Sequence, residues 1–329
     1  MTAPSPGYRR LALGTAAATF LLIVLGGVVR VSDSGLGCGP AGSGFKGWPL
    51  CAGDVLPGLD LNTVIEYCHR LVAGALTLMV FTLALLAWRR YRSHRALLWT
   101  TTAAAALIVG QALLGAATVE HDLNETLVAS HLGIAMLLLG LALYAWRAAR
   151  PSADVAPAGT GFRALAVAAS AAVLCTIVAG GYMAGTDGRG RAHAAEGAHH
   201  ACGTQFPACN DGFLPFGQSR LVNIHLVHRT FMYLAVVLLI ALVAVALRRR
   251  PSGAVVRLAG AVVGLLVVQV LLGALNVWLA TEYELLILAH LAVGTLLWAA
   301  AAGLTFQLFR VPEPAGARAA RRPPEAVTA

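Results

Sequence analysis

Three observations predict an all-α integral membrane protein whose eight transmembrane helices form two tandem four-helix bundles. The chain is 58% hydrophobic and 12% charged over 329 residues, with a mean hydropathy of +0.73. Apolar runs of roughly 20 residues, the length that spans a bilayer, recur eight times along it. The second half also repeats the first: His69 to His228 and His131 to His290 are each 159 residues apart.

The first run, residues 11–31, follows Arg9 and Arg10. A cleaved leader would share that basic head, but the run is long and no small-residue cleavage site follows it, so it is expected to stay. The second, 64–88, carries Glu66, His69 and Arg70 at its head; the third covers 96–118, and the fourth, 126–147, carries His131. The runs at 162–184, 222–247, 254–278 and 284–309 repeat that order, with His228 in the second of them and His290 in the fourth. "QALLGA" from Gln111 returns as "QVLLGA" from Gln269, and "WPLCAGDVLP" from Trp48 aligns with "FPACNDGFLP" from Phe206. Each half therefore has an even number of crossings and one large loop, which gives both halves the same orientation about a pseudo-twofold axis along the membrane normal. The expected organisation is an N-terminal half at 1–150, a linker at 151–162, a C-terminal half at 163–310 and a tail at 311–329.

Orientation follows from the basic residues, since short loops rich in Lys and Arg stay cytoplasmic. Arg89, Arg90, Arg92, Arg95, Arg147, Arg150, Arg248, Arg249, Arg250 and Arg257 fall on the side of both termini, and most acidic residues fall opposite. The linker and tail are thus expected in the cytoplasm of a multi-pass cell-membrane protein, with the two large loops outside. The net charge of +9 serves topology and membrane lipid; scattered over several short segments, it does not make a nucleic-acid surface.

Cys38, Cys51, Cys202 and Cys209 lie in the two outer loops, where an oxidising compartment permits disulfides. Pairs Cys38–Cys51 and Cys202–Cys209 are expected, ahead of a zinc site that would draw on His193, His199 and His200 but lacks tight C-x-x-C spacing. His121 and those three loop histidines are expected to be solvated. Cys68 and Cys175 are expected as small buried hydrophobes without a role.

Four histidines inside helices need a reason, because polar groups in a bilayer cost free energy. His69 and His131 each lie about one turn from the outer end of their helix, as do His228 and His290. One such histidine is ordinarily bonded to a neighbouring helix. Four at duplicated positions are better explained as axial ligands of two bis-His haems in the core of a bundle. The pairs are read as His69 with His131 and His228 with His290; the sequence also permits the crossed pairs. Two ligands per site fall short of the four that a structural zinc takes. Arg70 and Arg229, each next to a ligand candidate, suit haem propionates or snorkelling to headgroups equally. Gln111 and Gln269 are expected to bond between helices. Glu66 lies three residues before His69, on the same helix face, and its repeat mate is His225. One acidic group for two ligand pairs suggests one reactive haem and one that transfers electrons, with Glu66 as acid or base; the plainer alternative is a carboxylate satisfying backbone N–H groups at a helix start.

The motifs "GGVVRVSDSGLGC" at 26–38, "GWPLCAG" at 47–53, "EYCHR" at 66–70 and "VHR" at 227–229, with His131 and His290, resemble the haem A synthase family over nearly the whole chain. The resemblance implies oxidation of the C8 methyl of haem O to a formyl group, giving haem A for terminal oxidases. It implies that His69 and His131 hold the substrate haem, that His228 and His290 hold a permanent haem b, and that Glu66 is catalytic. Haem O from a haem O synthase, an electron acceptor such as quinone, and terminal oxidase assembly are the partners that go with it. The departure is "GPAGSGFKG" at 39–47, an insertion that separates Cys38 from Cys51 by 13 residues where Cys202 and Cys209 are 7 apart. The rival reading is a bis-His diheme cytochrome b that only passes electrons, which leaves Glu66 unexplained. A parallel-repeat transporter is a third, weakened by the lack of paired Gly/Pro interruptions at mid-membrane.

Overall fold

The computed structural model describes residues 4–150, 158–186, 197–279 and 284–309. Among them are eight helices long and apolar enough to cross a membrane: α1 Pro6–Val31, α2 Leu61–Arg90, α3 Arg95–Glu120, α4 Glu125–Ala148, α5 Thr160–Gly185, α6 Arg220–Arg249, α7 Gly253–Trp278 and α8 Glu284–Gln307. Several begin a few residues ahead of their apolar runs because a polar cap starts them. Ser5 Oγ accepts from Tyr8 N, Asp60 Oδ1 from Thr63 N, Ser219 Oγ from Val222 N and Ser252 Oγ from Val255 N, each satisfying a backbone donor that has no partner in the first helical turn. The hydrogen bond from Thr63 holds the exposed Asp60 carboxyl below its ordinary pKa.

Helices α1 to α4 pack in a closed cycle, α1 on α2, α2 on α3, α3 on α4 and α4 on α1; α5 to α8 close the same way. Contacts of α4 with α5, α1 with α8, and α4 with α8 join the two sets. In lipid, helix association rests on close packing and interhelical hydrogen bonds, and this seam has both. A Cβ at Gly185 would stand 2.6 Å from Glu125 Cα, one at Gly140 would stand 2.7 Å from Trp298, and one at Gly27 would stand 2.6 Å from Leu291. The seam is tied by Arg30 Nη2 to Ala184 O at 2.7 Å, Arg147 Nε to Gln307 Oε1 at 3.0 Å and Arg220 Nη2 to Glu125 Oε1 at 2.5 Å.

Both disulfides are formed, with Cα separations of 4.4 Å for Cys38–Cys51 and 4.7 Å for Cys202–Cys209. The loops share one closure: Cys51 N bonds Asp54 O and Asp54 N bonds Cys51 O, as Cys209 does with Gly212. The insertion at 39–47 leaves that closure intact. It is taken up in a separate turn, Gly44–Lys46, preceded by Gly39 and Gly42 in the left-handed region that glycine tolerates. Cys68 and Cys175 depart from expectation, since both are exposed, Cys175 in a groove between α4, α5 and α6. In lipid an exposed helix surface is itself apolar, so a small hydrophobe need not be buried. The greater part of the linker, residues 151–157, and the tail from 310 lie outside the described residues, as does His193.

Candidate functional site

Each of the four histidines is seated on a glycine of the preceding helix. A Cβ at Gly26 of α1 would lie 3.4 Å from His69 Cε1, at Gly115 of α3 3.1 Å from His131 Cε1, at Gly180 of α5 3.1 Å from His228 Cε1, and at Gly273 of α7 3.0 Å from His290 Cε1. At Gly115, Gly180 and Gly273 a Cβ would crowd the imidazole, so glycine gives the ring its close seat there, whereas at Gly26 it would make an ordinary contact. The duplicated "LLGA" contained two of these seats, yet glycine is common enough in membrane helices that its purpose was not readable from the sequence.

The electrostatic neighbour of His131 is His69, and that of His290 is His228, the within-half arrangement. Ring nitrogens differ between the four. His228 Nδ1 donates to Thr176 O at 2.9 Å, which fixes its tautomer and leaves Nε2 with a lone pair for a metal. His69, His131 and His290 each have a buried Nδ1 without a hydrogen-bond partner among the described residues, and Gln269 Nε2 lies 3.2 Å from His290 Nε2. Gln111 Nε2 donates to His131 O at 2.9 Å, so both glutamines bond between helices as expected. No group of three or more His, Cys, Asp or Glu gathers among the described residues. Two imidazoles per half, with buried and partly unsatisfied nitrogens, fit the two axial positions of a haem.

Glu66 is 3% exposed. Its Oε2 accepts from Cys38 N at 2.7 Å and its Oε1 pairs with Arg70 Nη2. The helix-start alternative does not describe it, because Asp60 caps α2 and the N–H that Glu66 binds belongs to the disulfide loop. Its mate His225, also 3% exposed, uses Nδ1–H to donate to Ala198 O at 2.9 Å. The two halves thus hold their loops with groups of opposite hydrogen-bonding sense.

Arg70 and Arg229 also grip the loops. Arg70 Nη1 donates to Gly47 O and Leu50 O at 2.6 and 2.9 Å; Arg229 donates to Ala208 O at 2.6 Å and Gln205 O at 2.9 Å, with Pro207 O at 3.4 Å. Arg229 is 2% exposed, so it does not snorkel. This clamp was not foreseen, because the distance from helix to loop carbonyl is set by the loop closure. His121 is exposed, whereas His199 and His200 are half-buried with ring centroids 3.9 Å apart, so these two correct the expectation of solvated loop histidines. In the same turn Ala198 O accepts from His225, which holds this described part of the loop against α6.

Comparison with known proteins gives the chain its relatives. The profile of a family described as cytochrome oxidase assembly protein matches residues 58–302. The chain is 32% identical over 243 residues to Heme A synthase of Halalkalibacterium halodurans, covering 72% of this chain and 76% of that one. It is 29% identical to Heme A synthase of Shouchella clausii, covering 72% and 75%, and 30% identical to that of Alkalihalophilus pseudofirmus, covering 65% and 68%.

Proposed function

Given that the chain belongs to the haem A synthase family, and so to a class of multi-pass membrane oxidoreductases, we propose that it oxidises the C8 methyl of haem O to a formyl group. Water supplies the oxygen. His69 and His131 hold the substrate haem by its iron, and His228 and His290 hold haem b, which supplies one-electron redox chemistry when bound.

The observation that carries this reading is an asymmetry inside a duplication. Both halves keep a glycine-seated histidine pair, but only the first has a carboxylate one helical turn from its first ligand, where the second has His225. Of the four, only His228, in the second half, has its Nδ1 locked by a backbone carbonyl, that of Thr176; neither ligand of the first half has such a lock among the described residues, which suits a haem that enters as substrate and departs as product. Glu66 is oriented by the Cys38 amide and Arg70. It takes the proton of the attacking water and offsets positive charge that develops beside the ring. Arg70 and Arg229, placed by the sequence as propionate partners, hold the disulfide loops as lids over the outer ends of the two sites, and any propionate there would compete with the loop carbonyls for them.

The two cycles of helices form two four-helix bundles about an axis along the membrane normal, with the disulfide loops outside and both termini in the cytoplasm, as the arginine distribution supports. A haem O synthase supplies the substrate, the product serves terminal oxidase assembly, and quinone accepts the electrons. Extraction of the pigment from the purified protein, with mass identification of the haems, tests the reading. Haem O or haem A together with haem B is the expected result. Haem B alone would overturn it in favour of a diheme cytochrome b.

A further inference from the structure

A groove of about 800 Å³ runs between α4, α5 and α6, on the side of the α5–α6 pair away from the His228 seat. Leu174 and Val178 of α5 and Ile224, Val227 and Phe231 of α6 wall it, and Tyr182, Arg220 and Asn223 stand at its outer end. The walls are apolar, so the body of a ligand must be too. The outer end selects the head. Arg220 is paired with Glu125 at 2.5 Å, and this cancels its charge. Tyr182 donates its one hydroxyl proton to Glu125 and accepts from Arg220, which orients Arg220 and leaves its remaining N–H groups as donors. Asn223 spends Oδ1 on Gly217 N at 2.8 Å, which leaves its NH2 to donate. The groove therefore offers hydrogen-bond donors without net charge. A phosphate would bring full negative charge against the Glu125 carboxylate, a repulsion that an uncharged carbonyl oxygen held by Asn223 and the remaining N–H groups of Arg220 largely escapes.

We infer that this groove is a lateral binding site for a prenylated quinone, its ring carbonyls at Asn223 and Arg220 and its tail along Val227 and Phe231. The inference rests on the proposed function and gives its electron acceptor a place. Oxidation of a methyl to a formyl group with one water releases four electrons and four protons. Two quinones, each taking two electrons and two protons to become quinol, balance it. The position suits this use, because the same two helices bear both sites. Val227 precedes His228 in α6, and Cys175 and Ala179 of the groove flank Thr176 and Gly180, which hold the His228 ring. A single helix is about 10 Å across, so quinone and the His228 side are separated by about one helix wall.

Binding is measured without turnover, on the purified full-length protein in nanodiscs, with a short-chain photoactivatable benzoquinone and decylubiquinone as competitor. Cross-links are expected on α5 and α6 peptides, reduced at least tenfold by decylubiquinone and unaffected by added phosphatidylglycerol. Val227→Trp, which fills the groove from its open side, and Asn223→Leu, which removes the donor, are each expected to weaken labelling tenfold or more, with haem b content reporting that the fold is kept. Labelling elsewhere, equal competition by phosphatidylglycerol, or variants with parental labelling at parental haem b content would overturn the site. Labelling here by a protein whose pigment is haem B alone would keep the site and sink the synthase reading; haem A with no groove labelling would do the reverse.

Discussion

Gly180→Ala should loosen haem b while the same change at Gly26 should leave both haems alone. The new Cβ at 180 would meet His228 Cε1 at 3.1 Å and Nδ1 at 3.2 Å, against about 3.5–4.0 Å for an unstrained contact. The ring would have to retreat by roughly 0.4 Å from α5, to which its 2.9 Å bond to Thr176 O ties it; a stretch of that size leaves the range of a good hydrogen bond. Overpacking of this kind costs about 1–3 kcal/mol, which corresponds to haem held roughly 5- to 150-fold less tightly. At Gly26 the nearest approach to His69 is 3.4 Å, an ordinary contact. Alanine is the better helix former by about 1 kcal/mol, so a loss at 180 would not come from a weaker helix. The assay is haem b retained per protein through repeated detergent washes, by pyridine haemochrome absorbance, with the low-spin signal as a second readout. Equal retention in Gly180→Ala and Gly26→Ala would refute the idea that these glycines seat ligands.

Glu66→Gln keeps an oxygen for the Cys38 amide and loses the charge opposite Arg70, so haem b should persist while haem A formation falls by about 10²–10⁴-fold; a parental rate would reduce Glu66 to a brace for the loop. In single alanine variants, His228 and His290 should lose the same haem and His69 and His131 the other; a crossed pattern of losses would reverse the pairing. Arg229→Leu removes the carbonyl clamp on the second loop, at about 1–3 kcal/mol for the polar groups left behind. Limited proteolysis between residues 197 and 219 should quicken accordingly, and an unchanged rate would show the clamp to be idle. Mass mapping of unreduced peptides should recover Cys38 joined to Cys51 and Cys202 to Cys209; free thiols at these positions would contradict the loop closure.

The eight helices were readable because a bilayer fixes how long an apolar run must be, and the run starting near residue 64 differs from α2 mainly by the cap at Asp60. The duplication was readable because the spacing of His69, His131, His228 and His290 survives in the sequence. What a side chain touches across the loops was not. Arg70 looked equally suited to a propionate or a headgroup, and its two loop carbonyls come near it only once Cys38 and Cys51 have closed. Glu125 and Arg220, 95 residues apart, carry no spacing signal, because a contact between halves depends on how the two sets of helices meet. Cys68 and Cys175 were misjudged by a rule from soluble cores, where exposure to solvent means exposure to water.

The grip on the first outer loop makes that loop a mechanical extension of α2. One carboxylate, Glu66, holds the amide of Cys38, and one guanidinium, Arg70, holds Gly47 and Leu50 on the other arm of the same loop. His69 sits between these two handles in the chain. A load applied to the loop from outside the membrane therefore arrives as torque on the helical turn that carries the imidazole, through a path only a few bonds long.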